Sequence, residues 1–148
     1  MSNTLRAGSL YLIFVLAGNL IWEMLQLPLF TIWQEGTPWQ QAFAVAHCTL
    51  GDVLIAAAAL ALALFMVRHR WPAEHFTLVA MIAIVIGLCY TAFSEWLNVY
   101  VRGTWTYSRF MPVVSLGDAN IGVVPLLQWW IIPSVSFFLV RRYAKANP

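Results

Sequence analysis

Four side chains able to carry a proton stand inside stretches of sequence that are otherwise apolar: Glu23, His47, Asp52 and Glu95. A charge at the centre of a bilayer costs about 2.5–3.5 kcal/mol even on the lenient insertion scale. Such groups in a chain of 148 residues therefore call for a partner, a water-filled cavity or a reaction. A carboxyl held in a low-dielectric site can serve as a general acid or base, and an imidazole can pass protons near neutral pH. Glu23 and Glu95 are the expected acid/base pair, with His47 or Asp52 tuning them.

Spacing adds neighbours to these acids. Asn19, Glu23 and Gln26 fall at i, i+4 and i+7, and Thr91, Glu95 and Asn98 repeat that spacing, so each trio shares one face of a helix. A polar stripe in lipid turns toward neighbouring helices. Asp52 and His47 are about 140° apart around a helix and roughly 7 Å apart along it. Gln128 adds a polar group to the last apolar stretch. Trp96, Trp105, Arg102 and Arg109 crowd the same end and are expected to form the mouth of a site, the arginines meeting an anionic head group. With Asn19, Gln26, Asn98 and Gln128 they make up the expected substrate contacts.

The elements that must position these residues follow from composition. Hydrophobic residues make up 61% and charged residues 9%, against about 25% charged in an ordinary soluble domain. A span needs about 20 mostly apolar residues. Four windows qualify: residues 9–33, 42–67, 76–100 and 121–140, with a long outer loop over residues 101–120. Helices suit them because each satisfies its own backbone in lipid. The expected fold is therefore all-α, one integral membrane domain over residues 1–148 with four transmembrane helices in a bundle. The apolar run behind Arg6 is read as a retained first helix rather than a cleaved leader.

Arg6, Arg68, Arg70, Arg141, Arg142 and Lys145 fall on one side of such a bundle, and Arg102 and Arg109 on the other. The positive-inside rule then puts both termini in the cytoplasm and the chain in the cytoplasmic (inner) membrane, multi-pass. On that reading every span brings a polar group to the outer half of the bilayer, and the inner half is nearly all apolar. Pro28, Pro125 and Pro133 are expected to free the carbonyls of Met24, Ile121 and Trp129. An internal echo also stands out. Glu23 opens E-M-L-Q, Glu95 opens E-W-L-N, and a tryptophan follows each glutamate ten residues later, at Trp33 and Trp105.

Four helices with membrane-embedded Glu, His, Asn and Trp resemble in kind the emopamil-binding, sterol isomerase-like family. That resemblance implies a membrane-embedded acid–base enzyme, isomerase-like, working on a lipid-like molecule without a nucleotide cofactor. An intramembrane glutamate in a four-helix chain is also similar to the small multidrug transporters, which would imply a proton-coupled carrier. Those are shorter and carry a flanking motif that this chain lacks. A third reading makes the polar groups glue between helices in a non-catalytic subunit or scaffold, at about 0.6–2 kcal/mol per hydrogen bond.

Expected partners are membrane lipids and a hydrophobic small molecule, with a homo-oligomer or a partner membrane subunit open. A formal net charge of +2 without a basic stripe argues against nucleic acid. No cofactor or metal is expected, since three histidines are too few for a histidine-rich di-iron site and zinc needs three convergent ligands. Cys48 and Cys89 form no C-x-x-C pair, and neither a G-x-S-x-G elbow nor a phosphate-cradling glycine loop is present.

Overall fold

The computed structural model describes residues 3–67 and 71–146. It is mostly helical: α1 (Asn3–Gln26), a short α2 (Ile32–Glu35), α3 (Pro38–Val67), α4 (Phe76–Trp96) and α5 (Val123–Ala146). Four segments are long and apolar enough to cross a membrane, Asn3–Leu29, Pro38–Val67, Phe76–Arg102 and Val123–Ala146, as a multi-pass membrane protein requires. At most 39% of an 18-residue apolar stretch within any of these spans is buried within the protein. The remaining surface is largely apolar side chains such as Leu25, Leu54 and Phe65. Arg68 and Arg70, two of the six basic residues expected on one side, lie outside the described residues, as does His69.

The span boundaries differ from the expected ones for identifiable reasons. The first helix starts at Asn3 and tightens into a 3₁₀ turn over Leu27–Leu29, because Pro28 cannot continue the α-helical hydrogen-bond ladder. The last helix starts at Val123, because the residues before it belong to a hairpin. That hairpin corrects the all-α expectation. Strands β1 (Val113–Leu116) and β2 (Ala119–Gly122) pair antiparallel, Leu116 opposite Ala119, around a two-residue turn in which Gly117 takes φ 62°. A positive φ there suits glycine and a hairpin turn. Pro125 therefore sits in the first turn of α5, where no helical hydrogen bond is lost, and Ile121 is a strand residue rather than a helical one. Pro133 is inside α5 as expected.

Helix α1 packs against α3 and α5, and α4 packs against the same two. Buried positions on α1 are Ala7, Tyr11, Val15, Asn19, Glu23 and Gln26. On α4 and the helical segment that continues it to Arg102, Val79, Ala83, Gly87, Thr91, Glu95 and Asn98 repeat that register 72 positions later (23 to 95, for example). Ala56, Ala59, Leu60 and Ala63 of α3 likewise correspond to Pro133, Ser136, Phe137 and Val140 of α5, 77 positions on (56 to 133). The echo between E-M-L-Q and E-W-L-N is thus carried by a repeated burial pattern.

Along each helix the buried face changes character. From Ala7 to Val15, and from Val79 to Gly87, it is apolar or small. The core there stacks Tyr11 on Phe137 at 4.2 Å and lets α3 approach through Ala56, Ala59 and Ala63. Small side chains bring helix axes close enough for dispersion contacts, which must hold helices together where lipid is as apolar as the core. Beyond that level the buried face is Asn19, Glu23 and Gln26 on α1, Thr91 and Glu95 on α4, and Asn98 just past its end. Thr4 donates to the Trp71 carbonyl and Arg6 to the Tyr143 hydroxyl. The start of α1, the approach to α4 and the end of α5 therefore meet at the apolar end.

The far end is shaped by the connections. Thr37 and Gln40 cap α3 reciprocally: the Gln40 side chain accepts from the Thr37 amide at 2.8 Å and the Thr37 hydroxyl from the Gln40 amide at 3.3 Å, as in a capping box. Residues 28–31 run beside residues 106–108. The Thr31 amide donates to the Thr106 carbonyl, and the Ser108 amide to the Leu29 carbonyl.

Two glycines give opposite expectations. A Cβ on Gly87 would stand 2.2 Å from the Trp129 ring, whereas one on Gly51 would meet nothing within 4 Å. Gly87→Ala is expected to lower the unfolding midpoint in detergent, by about 1–3 kcal/mol of overpacking. Gly51→Ala is expected to leave the midpoint unchanged or raise it through helix propensity. Thermal unfolding of the two variants beside the parent checks both.

Candidate functional site

At the polar end, one side-chain amide joins three helices. Gln128, in the second turn of α5, directs Nε2 at Glu23 Oε1 (2.9 Å), Asp52 Oδ2 (2.9 Å) and Asn19 Oδ1 (3.1 Å). Its own Oε1 accepts from Gln26 Nε2 at 3.2 Å. Asn19, Glu23 and Gln26 meet it together because their spacing puts them on the buried face of α1. Asp52 comes from the middle of α3 and is held on its other oxygen by Trp129 Nε1 at 3.2 Å. Trp129 reaches that position because Gly87 of α4 leaves room for its ring. The Glu23 and Asp52 carboxyls thus share one amide, each with an oxygen 2.9 Å from Gln128 Nε2.

A second cluster forms around Glu95 at the end of α4. The Tyr107 hydroxyl donates to Glu95 Oε2 at 2.5 Å and accepts from the Gly122 amide at 3.0 Å. One phenol thereby ties the acid to the hairpin. Burial, then the neighbouring Glu95 carboxyl, pushes the Tyr107 hydroxyl above the ordinary tyrosine value, so it stays a donor. The Trp105 indole N–H also faces Glu95 without closing a hydrogen bond to any partner. After Trp96 the helix widens into a π-helical segment, Leu97–Arg102, which ends at Gly103 with φ 60°. Such segments are frequent at functional sites. Asn98, inside this one, donates to Ser94 Oγ (3.1 Å) and its carbonyl (2.8 Å), and the Asn98 carbonyl accepts from the Thr104 amide at 2.9 Å.

Both clusters face one cavity of about 1040 Å³. Glu23, Gln26, His47, Asp52, Glu95, Asn98 and Gln128 all line it, with Arg102 and Trp105. The structure does not bring every expected residue there. Asn19 stands behind Gln128, off the cavity surface. Trp96 is turned outward beside Phe93, rings 6.0 Å apart, and Arg109 lies over the Phe110 ring; neither lines the cavity. His47 is exposed and stacks on Phe43 at 5.6 Å, so it stands at the rim, turned away from Asp52 as the helical angle between them requires. Among the described residues no three His, Cys, Asp or Glu side chains converge as a metal-binding group.

Sequence reasoning missed the two residues that hold the acids. Tyr107 is twelve residues beyond Glu95 in an irregular loop, where no periodicity points back to the acid. Trp129 follows Gln128 directly, so on a simple helical wheel it points elsewhere. Only the position of α3 brings Asp52 between the two. Thr91, also on the cavity wall, was legible only as part of the stripe leading to Glu95, and Ser94, beside it on that wall, was not read from the sequence.

No family model, curated protein or solved structure matches the chain.

Replacing Gln128 by leucine of similar size removes the donor that Glu23, Asp52 and Asn19 share. Expected is a stability loss of about 2 kcal/mol, given 0.6–2 kcal/mol per hydrogen bond within a membrane. Tyr107→Phe removes one donor and one acceptor and is expected to cost about 1–2 kcal/mol. Equilibrium unfolding in mixed micelles measures both. An unchanged midpoint for Gln128→Leu would mean that the amide does not hold the three helices.

Proposed function

We propose that this chain is a single-domain four-helix bundle of the cytoplasmic membrane, both termini inside, whose outer half binds a hydrophobic or lipid-like small molecule and converts it by acid–base chemistry. The observation that carries the reading is the convergence of Glu23, Asp52 and Glu95, from three helices, on one cavity. Isolated acids scattered for tolerance in lipid have no need of a shared cavity, nor of dedicated holders such as Trp129 and Tyr107. The orientation rests on the basic residues: Arg6, Arg141, Arg142 and Lys145 belong to the end where Arg6 meets Tyr143, opposite the cavity.

In the catalytic form, Glu23 is the acid and Glu95 the base. Glu23, with Asp52 against it, gives a proton to one carbon of a substrate double bond. Glu95 takes a proton from the neighbouring saturated carbon, and the double bond moves by one position. Protons balance over the reaction, and the cavity returns to its starting state when the proton on Glu95 passes back to Glu23. Tyr107 and Trp129 act as positioning residues, the first holding one oxygen of Glu95 and the second one oxygen of Asp52. His47, at the rim, is placed to exchange protons with the outside.

A second reading, helix glue in a non-catalytic subunit, is favoured by the Gln128 hydrogen bonds, which join α1, α3 and α5 whether or not a ligand is present.

The two readings separate on a conservative change. Glu23→Gln with Glu95→Gln keeps hydrogen-bonding capacity and removes the exchangeable protons. Native mass spectrometry and lipidomics of gently extracted protein are expected to find a specific molecule on the parent that is absent or chemically altered on the double variant, at matched thermal stability. No bound molecule on either protein, with equal stability, would overturn the pocket reading and leave the glue reading standing.

A further inference from the structure

The hydrogen-bond directions in the Gln128 cluster are fixed by the acids. Glu23 and Asp52 require a donor, so the Gln128 amide must turn Nε2 toward them and its oxygen away. That oxygen then requires a donor, and Gln26 supplies one with Nε2 at 3.2 Å. Gln26 is thereby left with its own carbonyl oxygen pointing onward, and that oxygen is buried without a partner. Gln26 is 6% exposed and lines the cavity. A buried acceptor left unanswered costs about 1–3 kcal/mol. On the same cavity wall the Thr91 hydroxyl (residue 7% exposed) and the Trp105 indole N–H are also buried without a hydrogen bond. The cavity thus offers an unanswered acceptor and unanswered donors.

Head-group chemistries sort against this set. A carboxylate or phosphate cannot donate to Gln26, and it would enter beside Glu23, Asp52 and Glu95, faced only by His47 and Arg102 at the exposed rim. An ammonium donates and is drawn to the same carboxyls, but it cannot accept from Trp105 or Thr91. A hydroxyl does both. The approach is apolar. Phe43 of α3 and Tyr90 of α4 line the cavity while 59% and 47% exposed, so the mouth lies between those helices on the flank that faces lipid. Gly51, on the cavity wall in the next turns of α3, leaves open space beside it.

We propose that the ligand is an uncharged, hydroxyl-headed amphiphile, a long-chain alcohol, which enters from the lipid phase between α3 and α4 and donates its hydroxyl proton to Gln26 Oε1. The proposal rests on the pocket reading above and names its ligand class. It also revises the expectation of an anionic head group, since Arg109 does not reach the cavity.

The test uses the full chain in lipid nanodiscs and photoreactive analogues of hexadecanol, hexadecylamine and hexadecanoic acid carrying the same diazirine on the chain. Expected is saturable labelling by the alcohol on peptides bearing Phe43 or Tyr90, displaced by unlabelled hexadecanol, with little labelling by the acid. Gln26→Leu is expected to weaken the alcohol's apparent affinity about fivefold, the loss of one neutral hydrogen bond. Gly51→Leu, which fills open space without touching the polar cluster, is expected to abolish labelling while the unfolding midpoint is kept. Equal or stronger saturable labelling by the acid or the amine overturns the hydroxyl assignment and leaves the pocket standing. Absence of saturable labelling by all three probes overturns both.

Discussion

A primary amide has two protons to give, and that of Gln128 is surrounded by three acceptors from two other helices. The polar end of the molecule is organised by this shortage. Glu23 and Asp52, both at 2.9 Å, are the nearest takers of the two protons and Asn19 at 3.1 Å is the third, so one amide draws the two carboxyls together while the other oxygen of Asp52 accepts from Trp129. In water such a mismatch would be relieved by solvent. Between helices packed in lipid it becomes a constraint on helix position, because moving any one helix strands a buried polar group. The direction of the amide then propagates through Gln26 and decides what the cavity wall presents.

The apolar end makes the polar end possible. Alanines on α3 and glycine or alanine on α4 let those helices close tightly at one level, and the larger residues beyond, Phe43 and Tyr90, stand around the cavity. Gly87 belongs to both regimes. Its missing side chain is a packing feature of the apolar end, and through the Trp129 ring it sets where an indole N–H meets Asp52. The loop beyond α4 is similarly tied in, since Tyr100 and Tyr107 both bond β2, at Asn120 and Gly122.

Much of this was legible in the sequence, for a physical reason. A carboxylate in an apolar helix is so costly that its presence marks an interior face, and helical spacing then names its companions. Glu23, Gln26, Asp52, Glu95 and Asn98 were picked out in that way, and Gln128 as a polar side chain in the last apolar stretch. Residues whose place depends on the loop or on a third helix were not. Tyr107 carries no periodic signal, and the role of Trp129 follows from how α3 crosses it. Trp96 and Arg109 lie off the cavity for the opposite reason: proximity in sequence to Glu95 and Trp105 suggested a common mouth, but their side chains turn to Phe93 and Phe110. The hairpin was hidden because a short strand pair closed by Gly117 is a weaker pattern than the spans around it.

The repeated burial register has one further effect. The two halves match at Glu23 and Glu95, but the position that is Asp52 in α3 falls, by the register of its helix, on Trp129 in α5. A scaffold of nearly equivalent halves therefore surrounds a cavity with unlike poles: two carboxyls and an amide at one, a single carboxyl and a phenol at the other. A guest could not be turned end for end without exchanging unequal surroundings. The two ends of the cavity are thus distinguished within a frame that is itself almost symmetric, and the asymmetry resides in a few diverged positions, Gly51 against Gln128 and Asp52 against Trp129 foremost.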